Sequence, residues 1–380
     1  MISDYIRVSK GFQSSINIEY DFNDQKKIDG FIPTNACLDI IDNIFDSVKE
    51  AASSKAKILT GAYGRGKSLC VLIALSLLFN ADKNLFSRLL PKIKRCNSEL
   101  HKKIDNYLSS NKRLLPVIIN GNSGKMSQAF LSALQRALNV YNFNDIMPET
   151  YFDSAIRTIN MWKDEYPETY TRFTEKIGMN AEVFINRLSE NDAEAYNTFT
   201  TLHPQLTSGS VFNPFVDGSI IDIYDKVNAE LKKRGFAGIF VVYDEFGKYL
   251  ESNITTASES ETKMLQDFAE KCCRESSQQL HLLLICHKDI SNYIDMNLSQ
   301  DKVDGWRGIS GRFEHINLTN NFSQMYEIIS HTIKHKKGWN GFRDNNAAVF
   351  DDLYKAYDDN SLIKGKQSQS QILCKRKIVQ

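Results

Sequence analysis

The sequence has no excess of charge of either sign: 47 Lys plus Arg face 46 Asp plus Glu, for a formal net charge of +1. So close a balance gives no whole-chain attraction to nucleic acid or to an anionic membrane, and any such partner must be met by a local patch. Long hydrophobic runs are also missing. The longest, Val71 to Phe79, falls far short of the roughly 20 residues a membrane-spanning helix needs. The polar N-terminus does not lead from a basic into an apolar segment, as a secretory signal does. A cytoplasmic chain with no membrane partner is expected. Paired cysteines are absent as well. Seven cysteines, an odd number at irregular spacings, argue against a disulfide framework and fit a reducing compartment. Without a C-x-x-C pair, Cys272, Cys273, Cys286 and His287 read as small buried residues in place of a zinc site.

What is present is an ordinary globular composition, 42% hydrophobic and 24% charged over 380 residues. That length allows two or three domains and a large core. One stretch organises the rest: Gly61-Ala62-Tyr63-Gly64-Arg65-Gly66-Lys67-Ser68 fits G-x-x-x-x-G-K-[ST] at every constrained position. Ala56 to Thr60 reads as a buried strand before it, and Leu69 to Asn80 as an apolar helix after it. Strand, glycine loop and helix is the context the motif requires. Glycines let the backbone wrap an anion with successive N–H groups pointing inward, and the helix adds its positive end. Lys67 would bring a point charge to the β- and γ-phosphates, and the Ser68 hydroxyl would ligate a bridging Mg²⁺. With Leu69, the first residue of the helix, these positions form the candidate nucleotide-binding set. The alternative is a glycine-rich turn into a buried helix.

Elsewhere, alternation of Ile16, Ile18, Tyr20 and Phe22 predicts an N-terminal strand or hairpin edge. Leu38, Ile41, Ile44, Phe45 and Val48 recur at helical spacing behind a cap near Thr34 or Asn35. Residues 84 to 113 predict two basic helices carrying Lys92, Lys94, Arg95, Lys102, Lys103, Lys112 and Arg113, a solvated face or a nucleic-acid contact. Leu114 to Asn120 predicts a second strand with Pro116 near its start, where a missing N–H costs least. Gly121-Asn122-Ser123-Gly124-Lys125 lacks phosphate-loop spacing and reads as a turn into a helix over Met126 to Val140. A helical insertion is expected over about 141 to 202, closed by a turn-rich stretch from His203 to Asp217. A further amphipathic helix follows over Ser219 to Arg234.

A second constellation begins at Phe236 to Tyr243, a nearly continuous apolar run suited to a parallel strand covered on both faces. It ends in Asp244-Glu245. In phosphate-loop NTPases, ligands collect at the carboxyl edge of the sheet. Asp244 would hold Mg²⁺, mostly through water, and Glu245 would take a proton from the attacking water or orient it. The strand Leu280 to Cys286 runs into His287, either a sensor of the γ-phosphate or a residue that merely caps the strand. Arg312 leads into a fifth strand through Leu318. Arg312, or Arg307 as the alternative, would reach a neighbouring subunit's γ-phosphate, or would form a salt bridge anchoring the strand.

The set of GAYGRGKS at 61 to 68, IFVVYDE at 239 to 245, the strand ending at His287 and GRF at 311 to 313 resembles the ASCE division of P-loop NTPases and, within it, the AAA+ group. The resemblance covers about residues 30 to 335. It implies five parallel strands flanked by helices, with the phosphate-loop strand beside the sensor strand and the sensor strand beside the one ending in Asp244. GFIPT at 30 to 34, the loop with Tyr63, and YDEFGKYLES at 243 to 252 with Phe246 and Gly247 resemble, more narrowly, large bacterial ATPases of the origin-recognition and STAND branches found in anti-phage defence. AAA+ proteins follow the core with a helical lid bearing a second sensing arginine. Here only Phe322 to Lys337 and Asn345 to Tyr357 are available for it, and no such arginine can be named.

The expected organisation is a lead-in segment over 1–34, an α/β P-loop NTPase core over 35–320, a partial helical lid over 321–360, and a disordered tail over 361–380, rich in Gln and Ser. Family members tend to be longer, which implies a truncated product or one segment of a split protein. The expected function is a Mg²⁺-dependent ATPase, driving or gating an assembly in defence. It would work as a homo-oligomer or with a partner subunit supplying an arginine in trans, and with nucleic acid or an effector as partner. ATP is favoured over GTP because no N-K-x-D signature is present. The alternatives are a nucleotide-binding switch or scaffold without productive hydrolysis, and a small-molecule kinase.

Overall fold

A computed structural model describes residues 2–8, 16–49, 52, 54–80, 82–121, 125–146, 151–190, 192–210, 212, 220–274, 278–294, 298–318, 328–329 and 332–358. The strands, in chain order, are β1 (Ile6–Val8), β2 (Ala56–Thr60), β3 (Arg113–Ile119), β4 (Phe236–Tyr243), β5 (Gln279–Cys286), β6 (Glu314–Asn317) and β7 (Ile333–His335). Five of them make one all-parallel sheet, ordered β3-β4-β5-β2-β6 and flanked by helices. The apolar runs explain it: β2 and β5 are buried throughout and β4 nearly so, as strands covered on both faces must be. Pro116 is not at the start of β3 but in its middle, opposite Phe240. The sheet tolerates it because β3 is an edge strand, paired on one side only.

The chain divides into two compact units, with the boundary falling inside β2 and next to the start of β6. The first gathers Met1–Lys49, Leu59–Lys112 and His315–Gln380. Its helices are α1 (Gln25–Gly30), α2 (Asn35–Ser47), α3 (Lys67–Phe79), α4 (Leu89–Cys96) and α5 (Ser98–Ser109). Thr34 caps α2, its Oγ1 accepting the Cys37 N–H at 3.4 Å. Leu38, Ile41, Ile44 and Phe45 bury one face of α2, which packs on α3 and α5.

Two expectations fail in this unit. Residues 18–23 form turns, not a strand. Oδ1 of Asn17 accepts the N–H groups of Glu19 (3.0 Å) and Tyr20 (3.1 Å), and the Asn17 N–H donates to Asp21 Oδ2. Such local side-chain bonds offer the backbone an alternative to a ladder, and the apolar alternation lines no common face, since Ile18 is buried while Tyr20 is exposed. The N-terminal strand is β1, antiparallel to β7 with Arg7 opposite Lys334. That pairing also overrides the helix expected through Lys337, for residues 333–335 are β7. Residues 322–327 and 330–331 of that expected helix, and the tail 361–380, lie outside the described residues. Helices Trp339–Asn345 and Ala347–Asp358 follow, with Trp339 stacked on His335 at 4.2 Å and Phe342 on Tyr5 at 4.4 Å.

The second unit comprises Glu50–Ile58 and Arg113–Glu314. Its helices are α6 (Met126–Val140), α7 (Tyr151–Glu165), α8 (Pro167–Ile177), α9 (Ala181–Ser189), α10 (Ala193–Leu206), α11 (Ile220–Lys233), α12 (Phe246–Asn253), α13 (Glu259–Arg274) and α14 (Gln300–Ser310). Helices α7 to α10 form the expected insertion around Trp162, Phe173, Phe184 and Phe199. The insertion runs past 202, because α10 continues through His203 and Pro204 to Leu206. His203 is buried against Trp162 at 5.5 Å, with Nδ1 2.9 Å from the Ser210 carbonyl. Aromatic packing there outweighs a proline that disturbs only the last turn.

His281 in β5 is fully buried, stacked on Phe240 at 5.0 Å. Burial, helped by the Lys55 and Lys57 charges, pushes its pKa down from 6.5 to about 3. The folded chain therefore leaves His281 neutral where the unfolded chain protonates it. Its contribution to stability is complete above about pH 6.5 and is lost as pH falls toward 3. The loss should approach about 1.4 kcal/mol per pH unit. Urea unfolding at several pH values is expected to show this slope, and His281→Phe to remove that part of it.

Candidate functional site

In the first unit the 61–68 loop leaves the end of β2 with its geometry set by glycine. A Cβ on Gly61 would lie 3.1 Å from both the Cβ and the carbonyl oxygen of Leu318, whose N–H donates to the Thr60 carbonyl at 2.8 Å. Only a bare backbone passes there without displacing its neighbour. Gly64 and Gly66 take the left-handed conformation, with φ of 70° and 84°. Gly66 is the N-cap of α3, and having no side chain it makes no capping hydrogen bond there. Ala62, Tyr63, Gly64 and Arg65 are exposed, whereas Ser68 and Leu69 are half-buried. Lys67 is only 6% exposed and curls back, Nζ donating to the carbonyls of Gly61 (2.5 Å) and Ala62 (3.0 Å).

Because nothing lies within 4 Å of a Cβ built on Gly66, Gly66→Ala tests the backbone alone. It should destabilise the chain by about 1–2 kcal/mol, measurable as a lower urea midpoint, and should weaken phosphate binding with it.

In the second unit, Asp244 follows β4 and is buried, its N–H extending the ladder to the Ile119 carbonyl at 2.9 Å. Glu245 then turns the chain into α12 with φ of 58°, a left-handed position rare for a residue with a side chain. Its N–H donates to Asp244 Oδ1 at 3.0 Å, and its half-exposed carboxylate pairs with Lys248 Nζ at 2.7 Å. His287 follows β5 and is half-buried. A Cβ on Gly247 would come within 2.5 Å of the Tyr293 hydroxyl and 3.4 Å of the His287 backbone nitrogen. The glycine after the acidic pair is thus what lets the first turn of α12 lie against the end of β5. Lys288 Nζ stands 5.3 Å from the Tyr293 ring centroid.

The structure therefore brings Asp244, Glu245, Gly247 and His287 to neighbouring strand ends. Lys248 and Tyr293 were not singled out from sequence. The i, i+3 spacing of Glu245 and Lys248 was a readable signal for the first, and nothing local announced the second.

Arg312 is engaged within its own unit: Nε meets Glu270 Oε1 at 2.7 Å and Nη1 the Gly308 carbonyl at 2.8 Å. The guanidinium holds the Glu270 carboxyl below the usual range. Arg307 is exposed on α14. Among the basic residues of 84 to 113, Lys92 donates to the carbonyls of Asp29 and Phe31, Lys103 pairs with Asp42 and Asp46, and Arg113 stacks over Phe236. Lys94, Arg95 and Lys102 face solvent.

Cys272 and Cys286 are buried free thiols, and among the described residues no group of three or more His, Cys, Asp or Glu is placed to hold a metal. No helix among the described residues is long and apolar enough to cross a membrane. Comparison with known protein families, with curated proteins and with solved structures returned no match.

Proposed function

We propose that this chain is a Mg²⁺-dependent ATPase of the P-loop kind, in its AAA+ branch, that drives or gates an assembly in bacterial defence. The observation that carries this is the 61–68 loop: two left-handed glycines between a buried strand and a helix whose N-cap is glycine, with Lys67 folded under the loop. Supporting it is the sheet order, in which β2 neighbours β5 and β5 neighbours β4, as the resemblance implies. The Lys67 ammonium would exchange its two backbone carbonyls for phosphate oxygens. The hydroxyl of Ser68 and the carboxylate of Asp244 are hard oxygen donors suited to Mg²⁺, which would neutralise phosphate charge when bound. Glu245 would accept the proton of the attacking water.

A second reading, a nucleotide-binding switch without productive turnover, is favoured by two contacts. The Glu245 carboxylate is tied to Lys248, and Arg312 to Glu270. Steady-state phosphate release across protein concentrations separates the two. A hydrolase completed by an arginine in trans should gain specific activity as it assembles, whereas a switch should release phosphate at background rate throughout. Adding nucleic acid in the same assay tests for a polymer partner.

A further inference from the structure

The balanced charge of the whole chain leaves any polyanion to a local patch, and the first unit carries one. Strand β1 places Arg7 directly opposite Lys334 of β7. Alternation along a strand puts these two on one face of the ribbon and Ile6, Val8, Ile333 and His335 on the other, where His335 stacks on Trp339. Arg7 and Lys334 are both exposed. Lys336 and Lys337 follow, also exposed, and no acidic residue occurs from 333 to 337.

Like charges opposite one another weaken an antiparallel pair. Among the described residues the side chains of Arg7, Lys334 and Lys337 have no ion-pair or hydrogen-bond partner. The ribbon is held by other contacts: the Lys336 N–H donates to the Tyr5 carbonyl at 2.7 Å, Lys336 Nζ donates to the Ser3 carbonyl at 2.8 Å, and Tyr5 stacks on Phe342. The facing cations thus oppose the fold locally, and such conflicts mark functional surfaces.

Helix α4 has the same polarity. Arg95 is exposed, and Arg88 meets Asp29 at 3.2 Å with its side chain largely in solvent. Lys92 donates to the Asp29 and Phe31 carbonyls. Burial, with the charges of Lys334, Arg95 and Arg88 behind it, holds the Lys92 pKa below its ordinary range against the pull of Asp29.

We propose that the Arg7–Lys334 face of the β1–β7 ribbon, with Lys337 beside it, is a docking surface for the phosphodiester backbone of nucleic acid. A guanidinium and an ammonium side by side offer forked and point-charge donors to phosphates. A run of unpaired cations suits a polymer that repeats its charge, and contact releases the polymer's counterions. Phosphate contacts carry no sequence information, so this binding is independent of base sequence. An anionic membrane would reward apolar side chains on the same face, and within β1 and β7 that face holds only Arg7 and Lys334.

The test measures fluorescence anisotropy of a fluorescein-labelled mixed-sequence DNA duplex, and of one of its strands alone, titrated with the full chain. No nucleotide is present, so the outcome is independent of the ATPase reading. Three phosphate contacts predict a slope of log affinity against log salt of about −2.7 on the duplex and about −2.1 on the strand. For the duplex that is an about 40-fold loss between about 50 and about 200 mM salt. Arg7→Gln/Lys334→Gln should weaken binding at least about tenfold and make the duplex slope shallower by about 1.8. Lys163→Gln/Lys232→Gln, which removes two exposed cations of the second unit, should bind as wild type. Lys334→Glu separates binding from folding: it should lose binding while its urea midpoint equals or exceeds that of wild type, because the new carboxylate faces Arg7. Binding of either probe with these dependences supports the site. No binding to either probe, equal losses in the ribbon variant and the second-unit control, or a lower midpoint for Lys334→Glu overturns it. So does a chain that pellets with phosphatidylserine vesicles and binds neither probe.

Discussion

Lys67→Ala is expected to raise the dissociation constant for ATP at least about 100-fold, on the order of 2.7 kcal/mol, because charge-assisted hydrogen bonds to phosphate are among the strongest a site can make. The substitution has a structural side as well. Lys67 is buried and donates to the Gly61 and Ala62 carbonyls, so removing it leaves loop acceptors without that partner. Lys67→Met also lacks the ammonium but keeps the apolar stem, so it should lose binding as fully as the alanine while unfolding at a higher urea concentration than the alanine does. Isothermal titration with ATP and Mg²⁺ is the direct measurement. Wild-type affinity in either folded variant would remove the phosphate loop from the proposal.

The second large effect falls on turnover without binding. Glu245→Gln should bind ATP within a few-fold of wild type while kcat falls by about 10²–10⁴, the usual contribution of a positioned general base. The amide preserves length and the same left-handed backbone, so the strain at φ of 58° is common to both proteins. What changes is basicity and the ion pair with Lys248. Both partners of that pair are roughly 40% exposed (42% and 43%), and such pairs contribute at most about 1 kcal/mol, so the fold should not suffer. Single-turnover phosphate release measures the chemical step. Equal rates for wild type and Glu245→Gln would mean that hydrolysis, if present, uses another base, and would favour the switch.

Much of this molecule was readable along the chain because its signals are local. Strand β2, the loop and α3 follow one another within a few residues, and each has a composition that suits one conformation. Glycines sit where φ is positive, and the apolar run of β4 ends where the carboxylates begin. The α2 cap at Thr34 belongs to the same class. The misses have the opposite character. The turn at Asn17 looked like a strand because alternation alone does not say whether a second strand is available. Residues 333–335 looked helical because their partner, β1, lies more than three hundred positions away. Pro116 was placed by a rule about strand starts, when being at the edge of the sheet decided the matter.

The sequence by itself determined which residue types could cradle an anion and end a strand in acid, since the backbone freedom of glycine and the charge of Lys67, Asp244 and Glu245 belong to the residues wherever they are placed. Only the tertiary structure decided what each group touches. It set Lys67 on two loop carbonyls, Glu245 on Lys248, Arg312 on Glu270 and Gly247 beneath Tyr293. The physical reason is that such pairings depend on distances between segments far apart in the chain. These are set by strand order and helix packing, to which no short stretch of sequence is sensitive.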